Sequence, residues 1–379
     1  MKILHTSDWH LGKTVMGRSM LPEQEYFIDN VLLPVLDEER PDALIIAGDI
    51  FDRQVPPAEA VKLFSRTVKE ICLTRRIKTA VIAGNHDGAD RLAVYAELLR
   101  PQGLYISARP FDTDPILIED KDTAVYIHLL PYFDAAIARD ILARDDIRGQ
   151  NAAFAAVMEQ IKPVNGAVNV LVAHCFAAGG VTCESESPLS VGGSDEVDPS
   201  LFDKFDYVAL GHLHGPQRSG KNGAYSGSPL KYSFDEEHQK KSLVLLDIKD
   251  GTIERRLIPI KPLHDMRTIT GTIKEIIGAA QKDSNRDDFI YANLLDTRPV
   301  FEPMALLREH YPNVLGLHPG WLDLTAGDGD RESLKQNLRT GSGDKLLFEE
   351  FLRQVCGIEP KEDELRVFDE LMEKAGDEV

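Results

Sequence analysis

Five short apolar runs recur along the chain: Lys2-Ile3-Leu4, Ala43-Leu44-Ile45-Ile46, Ala80-Val81-Ile82-Ala83, Asn169-Val170-Leu171-Val172-Ala173 and Tyr207-Val208-Ala209-Leu210. Runs of this length without polar alternation predict strands buried on both faces. Each gives way to polar chemistry: Asp8-Trp9-His10, Gly48-Asp49-Ile50-Phe51-Asp52, Gly84-Asn85-His86-Asp87, His174 and Gly211-His212-Leu213-His214. Helices are expected between the early strands. One covers about 22–39, with Tyr26, Phe27, Val31 and Leu32 on its apolar face and a kink expected at Pro34. A second opens on Pro56-Pro57 and runs to about 73, and a third lies near 90–100. Repeated βα units imply a sheet that is at least partly parallel. Such sheets bind ligands outside the carboxyl ends of their strands, which is where all five polar motifs fall.

From about 104 the pattern is strand-rich. Residues 116–118 and 125–130 read as a hairpin around Asp120-Lys121-Asp122, followed by an alanine-rich helical region over 134–161. Segment 177–196, rich in Gly, Ser and Glu, reads either as a solvated insertion or as a substrate-facing flap. Tyr225-Ser226-Gly227-Ser228-Pro229 is a tight turn, and 242–248 a further strand. Composition shifts near Pro262, and 263–320 alternate strand and helix as a small α/β domain would. A polar, glycine-bearing linker is expected over 321–343. Two amphipathic helices follow, one with Leu347, Phe348, Phe351 and Leu352 on a face, the other with Leu365, Phe368, Leu371 and Met372. They either close on their own domain or form a partner-docking hairpin. The expected domains are 1–260, 261–320, the linker 321–343 and a helical region 344–379.

Composition narrows the function classes. The net charge of −19 argues against attraction to membranes or nucleic acid through overall charge. Residues 321–379 hold 16 Asp/Glu against 8 Lys/Arg, so −8 of that charge sits in the tail, and a local basic groove remains compatible. Cys72, Cys175, Cys183 and Cys356 show no paired spacing, as expected in a reducing cytoplasm. The N-terminal run is a strand rather than a signal peptide, because Asp8 and His10 interrupt it. No apolar run approaches the roughly 18 residues that a membrane span needs.

Asp, Asn and His at strand ends are ligands for divalent cations of intermediate softness. Phosphodiester hydrolysis needs a charged transition state neutralised, a water activated and a leaving alkoxide protonated, and two metals serve the first two needs. A bridging carboxylate is then required, and Asp49, in the central motif, is the natural one. Asp8-x-His10 and His212-x-His214 each put two side chains on one side of an extended segment. Asn85 offers a neutral amide oxygen, and His174 ends its own strand. His86, beside Asn85, is a candidate general acid, with Asp52 placed to hold its tautomer. Each motif alone is weak; their conjunction after five apolar runs carries the reading.

This order of motifs resembles the calcineurin-like metallophosphoesterase superfamily. The resemblance implies two packed β-sheets flanked by helices. It implies one metal on Asp8, His10, Asp49 and His214 and a second on Asp49, Asn85, His174 and His212, with His86 as catalytic acid near Asp52. The implied metal is manganese, Mn2+. The stretches 4–12, 48–57, 206–214 and 227–235 are similar to the superfamily's bacterial nuclease subunits of DNA double-strand-break processing. That likeness implies a 3′→5′ exonuclease on double-stranded DNA and an endonuclease on single strands and hairpins. It places a DNA-capping domain at 261–320 and attachment of a coiled-coil ATPase at the final helices. Candidate DNA contacts are Lys13, Arg18, Arg53, Arg91 and Lys231. The chain has no P-loop, so ATP would come from the partner. The resemblance also implies a homodimer formed through nuclease-domain helices, for which Val61, Phe64 and Val68 are candidates. Two other readings use the same residues: a small-molecule phosphodiesterase or phosphatase, and a nonenzymatic DNA-end scaffold with structural metals. The extra domain disfavours the first, and His86 with Asp52 the second.

Overall fold

In the computed structural model, described for residues 1–120, 123–186, 196–321, 348–349, 361 and 365–368, the chain divides into two compact units, Met1–Met266 and Arg267 onward. The first unit opens with β1 (Lys2–Thr6) and a small ribbon, β2 (Thr14–Val15) with β3 (Arg18–Ser19). α1 (Leu21–Phe27) passes through a π-helical turn, Ile28–Leu32, into α2 (Leu33–Glu39). The kink expected at Pro34 takes this form. Proline supplies no N–H to the preceding turn, and the amide of Leu33 reaches back five residues to the Ile28 carbonyl. β4 (Ala43–Ala47), α3 (Ala58–Val68) and β5 (Lys78–Ile82) follow. The helix expected near 90–100 is two short ones, α4 (Ala89–Leu92) and α5 (Ala96–Leu99), before β6 (Leu104–Ser107).

β7 (Ile116–Glu119) and β8 (Ala124–Leu130) pair antiparallel, as the alternation predicts. The helical region beyond them is divided into α6 (Ala135–Leu142) and α7 (Gly149–Gln160). Ala143 ends α6 in the left-handed conformation, and the Asp145-Asp146 turn separates the two helices before Gly149 opens α7. Then come β9 (Val168–His174), β10 (Tyr207–Gly211), β11 (Gln217–Ser219), β12 (Gly223–Tyr225), β13 (Ser242–Lys249) and β14 (Thr252–Pro259).

These strands form two six-stranded sheets, in the orders β14-β13-β1-β4-β5-β6 and β11-β12-β10-β9-β8-β7. β1, β4, β5 and β6 are parallel in the first sheet, and β8, β9, β10 and β12 in the second. Ile3, Ile45 and Ala80 from the first sheet share a fully apolar layer with Ile127, Val170 and Ala209 from the second. The outer face of the second sheet is covered by α6 and α7 through Ala138, Phe154 and Val157, with Phe133 just ahead of α6. The strands are therefore buried on both sides, which is why they read as continuous apolar runs. The unit that begins at Arg267 carries a three-stranded sheet ordered β15-β16-β17: β15 (Met266–Gly271), β16 (Phe289–Leu294) and β17 (Val314–Pro319). α8 (Ile273–Ala280), held by a Thr272/Glu275 capping box, and α9 (Pro303–Arg308) complete it.

Of the final helices, Phe348 and Phe368 stack face to face with centroids 4.3 Å apart, and Leu365 is half-buried. Leu347, Phe351, Leu352, Leu371 and Met372 lie outside the described residues, as do most of the 321–343 linker and 187–195 of the glycine-rich segment.

Candidate metal centre

The two parallel sets of strands deliver their polar motifs to one place. Asp8 and His10 follow β1, Asp49 follows β4, and Asn85 and His86 follow β5. His174 is the last residue of β9, and His212 and His214 follow β10. The β1 and β4 loops are zipped together by main-chain bonds from Asp8 to Gly48 (3.0 Å) and from His10 to Asp49 (2.9 Å). In the other sheet His174 stands opposite Gly211 in the β9–β10 register.

Four of these side chains leave the main chain at positive φ: Asp8 (54°), His10 (45°), Asp49 (49°) and His212 (108°). Residues with a Cβ adopt such angles at a cost of about 1–3 kcal/mol each, and that strain is concentrated at functional sites. The motif glycines are required for space. A Cβ on Gly84 would overlap the Asp49 carboxylate, and one on Gly48 the His174 ring. Asp87 fastens the loops: its carboxylate accepts the amides of Gly84 (2.9 Å), Ile50 (3.1 Å) and Phe51 (2.9 Å).

The candidate ligand atoms converge. His10 Nε2 lies 3.0 Å from His214 Nε2 and 3.6 Å from Asp49 Oδ2. His174 Nε2 lies 3.4 Å from Asp49 Oδ2 and 2.9 Å from Asn85 Oδ1. His212 Nδ1 lies 3.2 Å from that same amide oxygen. Asp49 thus stands between two groups of ring nitrogens. Its other oxygen accepts the His86 amide at 2.9 Å. Asp8, His10 and His214 form one cluster whose atoms could hold an ion, and Asp8, Asp49 and His174 another.

The electrostatics fit cations. Burial, reinforced by the neighbouring Asp49, pushes the Asp8 carboxyl up to about 8. Against the effect of burial, the Asp49 carboxylate lifts His174 to about 9, and His174 and His10 in turn hold Asp49 well below the usual range. Burial lowers His10, His212 (to about 3) and His214, keeping them neutral as metal ligation requires. Asp8 Oδ2 and His10 Nδ1 are buried with no hydrogen-bond partner. A buried carboxyl pushed toward protonation, neutral imidazoles and orphaned buried polar atoms are all satisfied by divalent ions.

His86 differs from the expected arrangement in one respect. Its Nδ1 pairs at 2.9 Å with the main-chain oxygen of Asp52, whereas the Asp52 carboxylate faces Lys13 Nζ (3.0 Å) and His10 Nδ1 (3.7 Å). Asp52 therefore orients His86 through its backbone. Among the candidate cationic residues, Lys13 lines the site, and Arg18, Arg53 and Arg91 are exposed. Lys231 is engaged by the Glu237 carbonyl (2.6 Å) and the Asp265 carboxylate (2.8 Å).

Sequence reasoning missed the residues around these ligands. Gln24, wholly buried on α1, donates to the Trp9 and His10 carbonyls (3.1 and 2.7 Å) and accepts the Gly12 amide (2.9 Å). A glutamine within an otherwise apolar helical face was its signal. Ser185, Glu186, Glu236 and Lys241 gather behind His214, and nothing in their local sequence marks them.

Residues 1–216 match the family model described as calcineurin-like phosphoesterase. The chain belongs to that family and is a metal-dependent phosphodiesterase. Residues 262–355 match a second model, that of the SbcD C-terminal domain, described as the type 5 capsule protein repressor C-terminal domain. The two matches in this order are those of an SbcD nuclease. No described helix is long and apolar enough to cross a membrane.

Proposed function

We propose that this chain is a manganese-dependent DNA nuclease that works in double-strand-break processing with an SbcC-type coiled-coil ATPase. It would cut double-stranded ends as a 3′→5′ exonuclease and single strands and hairpins as an endonuclease. The observation that carries the reading is the gathering of six candidate ligand side chains from both sheets around Asp49, in a chain whose C-terminal part matches the SbcD C-terminal domain.

Asp8, His10, Asp49 and His214 would hold one ion, and Asp49, Asn85, His174 and His212 the other. The ions supply charge that polarises the phosphoryl oxygens and acidifies the attacking water. The rest falls to the chain. His86, oriented by the Asp52 carbonyl, delivers a proton to the leaving alkoxide. Lys13, held at the rim by Asp52, places positive charge where the backbone enters. Strained main chain at Asp8, His10, Asp49 and His212 fixes the ligands before substrate arrives.

A homodimer would use the face around α3 and α5. Val55, Val61, Val94, Tyr95 and Leu98 are exposed there. Val55, Val61, Val94 and Tyr95 line a groove of about 530 Å³ together with the buried Phe51 and Phe64.

The test is cleavage of linear and hairpin DNA by the purified chain, with manganese and with chelator, beside Asp8→Ala and His86→Ser. Cleavage that needs manganese and is lost in Asp8→Ala supports the nuclease. His86→Ser should keep its metal and lose turnover; unchanged turnover there would contradict the assigned acid. Turnover of a small phosphodiester without DNA cleavage, even with the ATPase added, would favour the small-molecule enzyme.

A further inference from the structure

The histidines of the centre are oriented by different means. His174 Nδ1 donates to a main-chain oxygen, that of Ala47, at 2.9 Å. That partner belongs to the sheet itself. His214 has its Nδ1 2.6 Å from the hydroxyl of Ser185, a residue of the 177–196 segment. The same hydroxyl lies 2.6 Å from Glu236 Oε1. Glu236 is wholly buried and is paired through its other oxygen with Lys241 Nζ at 2.5 Å. Lys241 is itself buried and also donates to the His214 carbonyl (2.8 Å). The His214 amide is held from the same segment, donating to Glu186 Oε1 at 2.6 Å.

Counting protons fixes the direction of this chain of contacts. A carboxylate paired with a lysine only accepts. The single hydroxyl proton of Ser185 therefore goes to Glu236. Toward His214 the serine oxygen is left as an acceptor, so the proton of the neutral ring sits on Nδ1. The lone pair is then on Nε2, the atom that converges with His10 Nε2.

We infer that Ser185, oriented by the Glu236–Lys241 pair, is the positioning residue that fixes the tautomer and angle of His214, and that 181–186 is thereby a built part of the centre. This rests on the reading of His214 as a metal ligand. The segment is seated accordingly. Val181 and Gln217 exchange hydrogen bonds at 2.9 Å in both directions, the Glu184 amide donates to Asp235 (2.9 Å), and Gln239 donates to Cys183 Sγ (2.9 Å). Val181, Thr182 and Glu184 stay exposed, while Glu186 is buried behind His214.

The experiment measures manganese binding to the full-length chain by equilibrium dialysis with metal analysis, in wild type, Ser185→Ala, Ser185→Thr and His214→Ala. Outer partners of metal-bound histidines are worth about 10–100-fold in affinity. Ser185→Ala is expected to weaken one of two sites by that factor at unchanged melting temperature, and its cleavage rate should recover as manganese is raised. Ser185→Thr, which keeps the hydroxyl, should restore affinity. If His214→Ala loses a site while Ser185→Ala binds as wild type does, the positioning role is overturned and the ligand reading stands. Failure of Ser185→Thr to restore the affinity lost in Ser185→Ala would also overturn it. If His214→Ala itself leaves both sites intact, the ligand reading fails and the inference with it.

Discussion

Asp87 is the sharpest place to perturb the centre without removing a ligand. It is nearly fully buried, and its carboxylate accepts three main-chain amides: Gly84 at the head of the Asn85-His86 turn, and Ile50 and Phe51 directly after Asp49. It is the clamp between two ligand-bearing loops from neighbouring parallel strands. Asp87→Ala leaves three buried amides without a partner, at about 1–3 kcal/mol each. Relief of the burial of a carboxyl group close to Asp49 offsets part of that loss. The expected destabilisation is therefore about 3–5 kcal/mol. For the unit Met1–Met266, unfolding entropy of about 2 cal/mol/K per residue converts this to a fall in melting temperature of roughly 6–9 °C. Asp87→Asn keeps the shape and part of the acceptor capacity, so its loss should be smaller. Thermal unfolding followed by circular dichroism gives the first number, and manganese affinity should fall in the same order. A loss below about 1 kcal/mol in Asp87→Ala, with metal binding unchanged, would refute the clamp argument.

Four further outcomes are expected. Gly84→Ala should abolish manganese binding by driving a Cβ into the Asp49 carboxylate, and wild-type binding stoichiometry in that variant would contradict it. His5, fully buried and lowered by burial to about 3, stays neutral in the fold while the unfolded chain takes up a proton below about 6.5. Stability should therefore be indifferent to this group above that pH and fall by about 2 kcal/mol by pH 5, and His5→Gln should remove that component of the slope in urea melts. Leu98→Glu, on the exposed apolar face of α5, should convert a dimer to a monomer in light scattering; an unchanged mass would place the dimer face elsewhere. Removing residues 343–379 should end co-elution with the coiled-coil ATPase and leave manganese binding intact, and retained co-elution would sink the docking assignment.

The candidate ligands are legible in the sequence because parallel strands buried on both faces leave continuous apolar runs, and the polar loops that follow those runs lie at the sheet's carboxyl edge. Asp8, Asp49, Asn85, His174 and His212 all stand at such strand ends, and it is their conjunction, with the family resemblance, that marks them. β14 is not legible in this way: Thr252-Ile253-Glu254-Arg255-Arg256-Leu257 is an edge strand with Glu254 and Arg256 exposed, and its pattern resembles a loop. The division between α6 and α7 depends on the left-handed Ala143, which no composition signal announces. A side-chain role for Asp52 is the natural expectation because carboxylates commonly hold catalytic histidines; the sequence does not show that its carbonyl meets His86 Nδ1 while its carboxylate faces Lys13. Ser185 and Glu236 are 29 and 22 residues from His214, a separation across which neither period nor spacing carries information.

The most direct measurement is anomalous diffraction from crystals of the chain grown with manganese. Two ions bridged by Asp49, one against His10 and His214 and the other against Asn85, His174 and His212, are predicted. A single ion, or two ions that do not share Asp49, would contradict the two-metal centre.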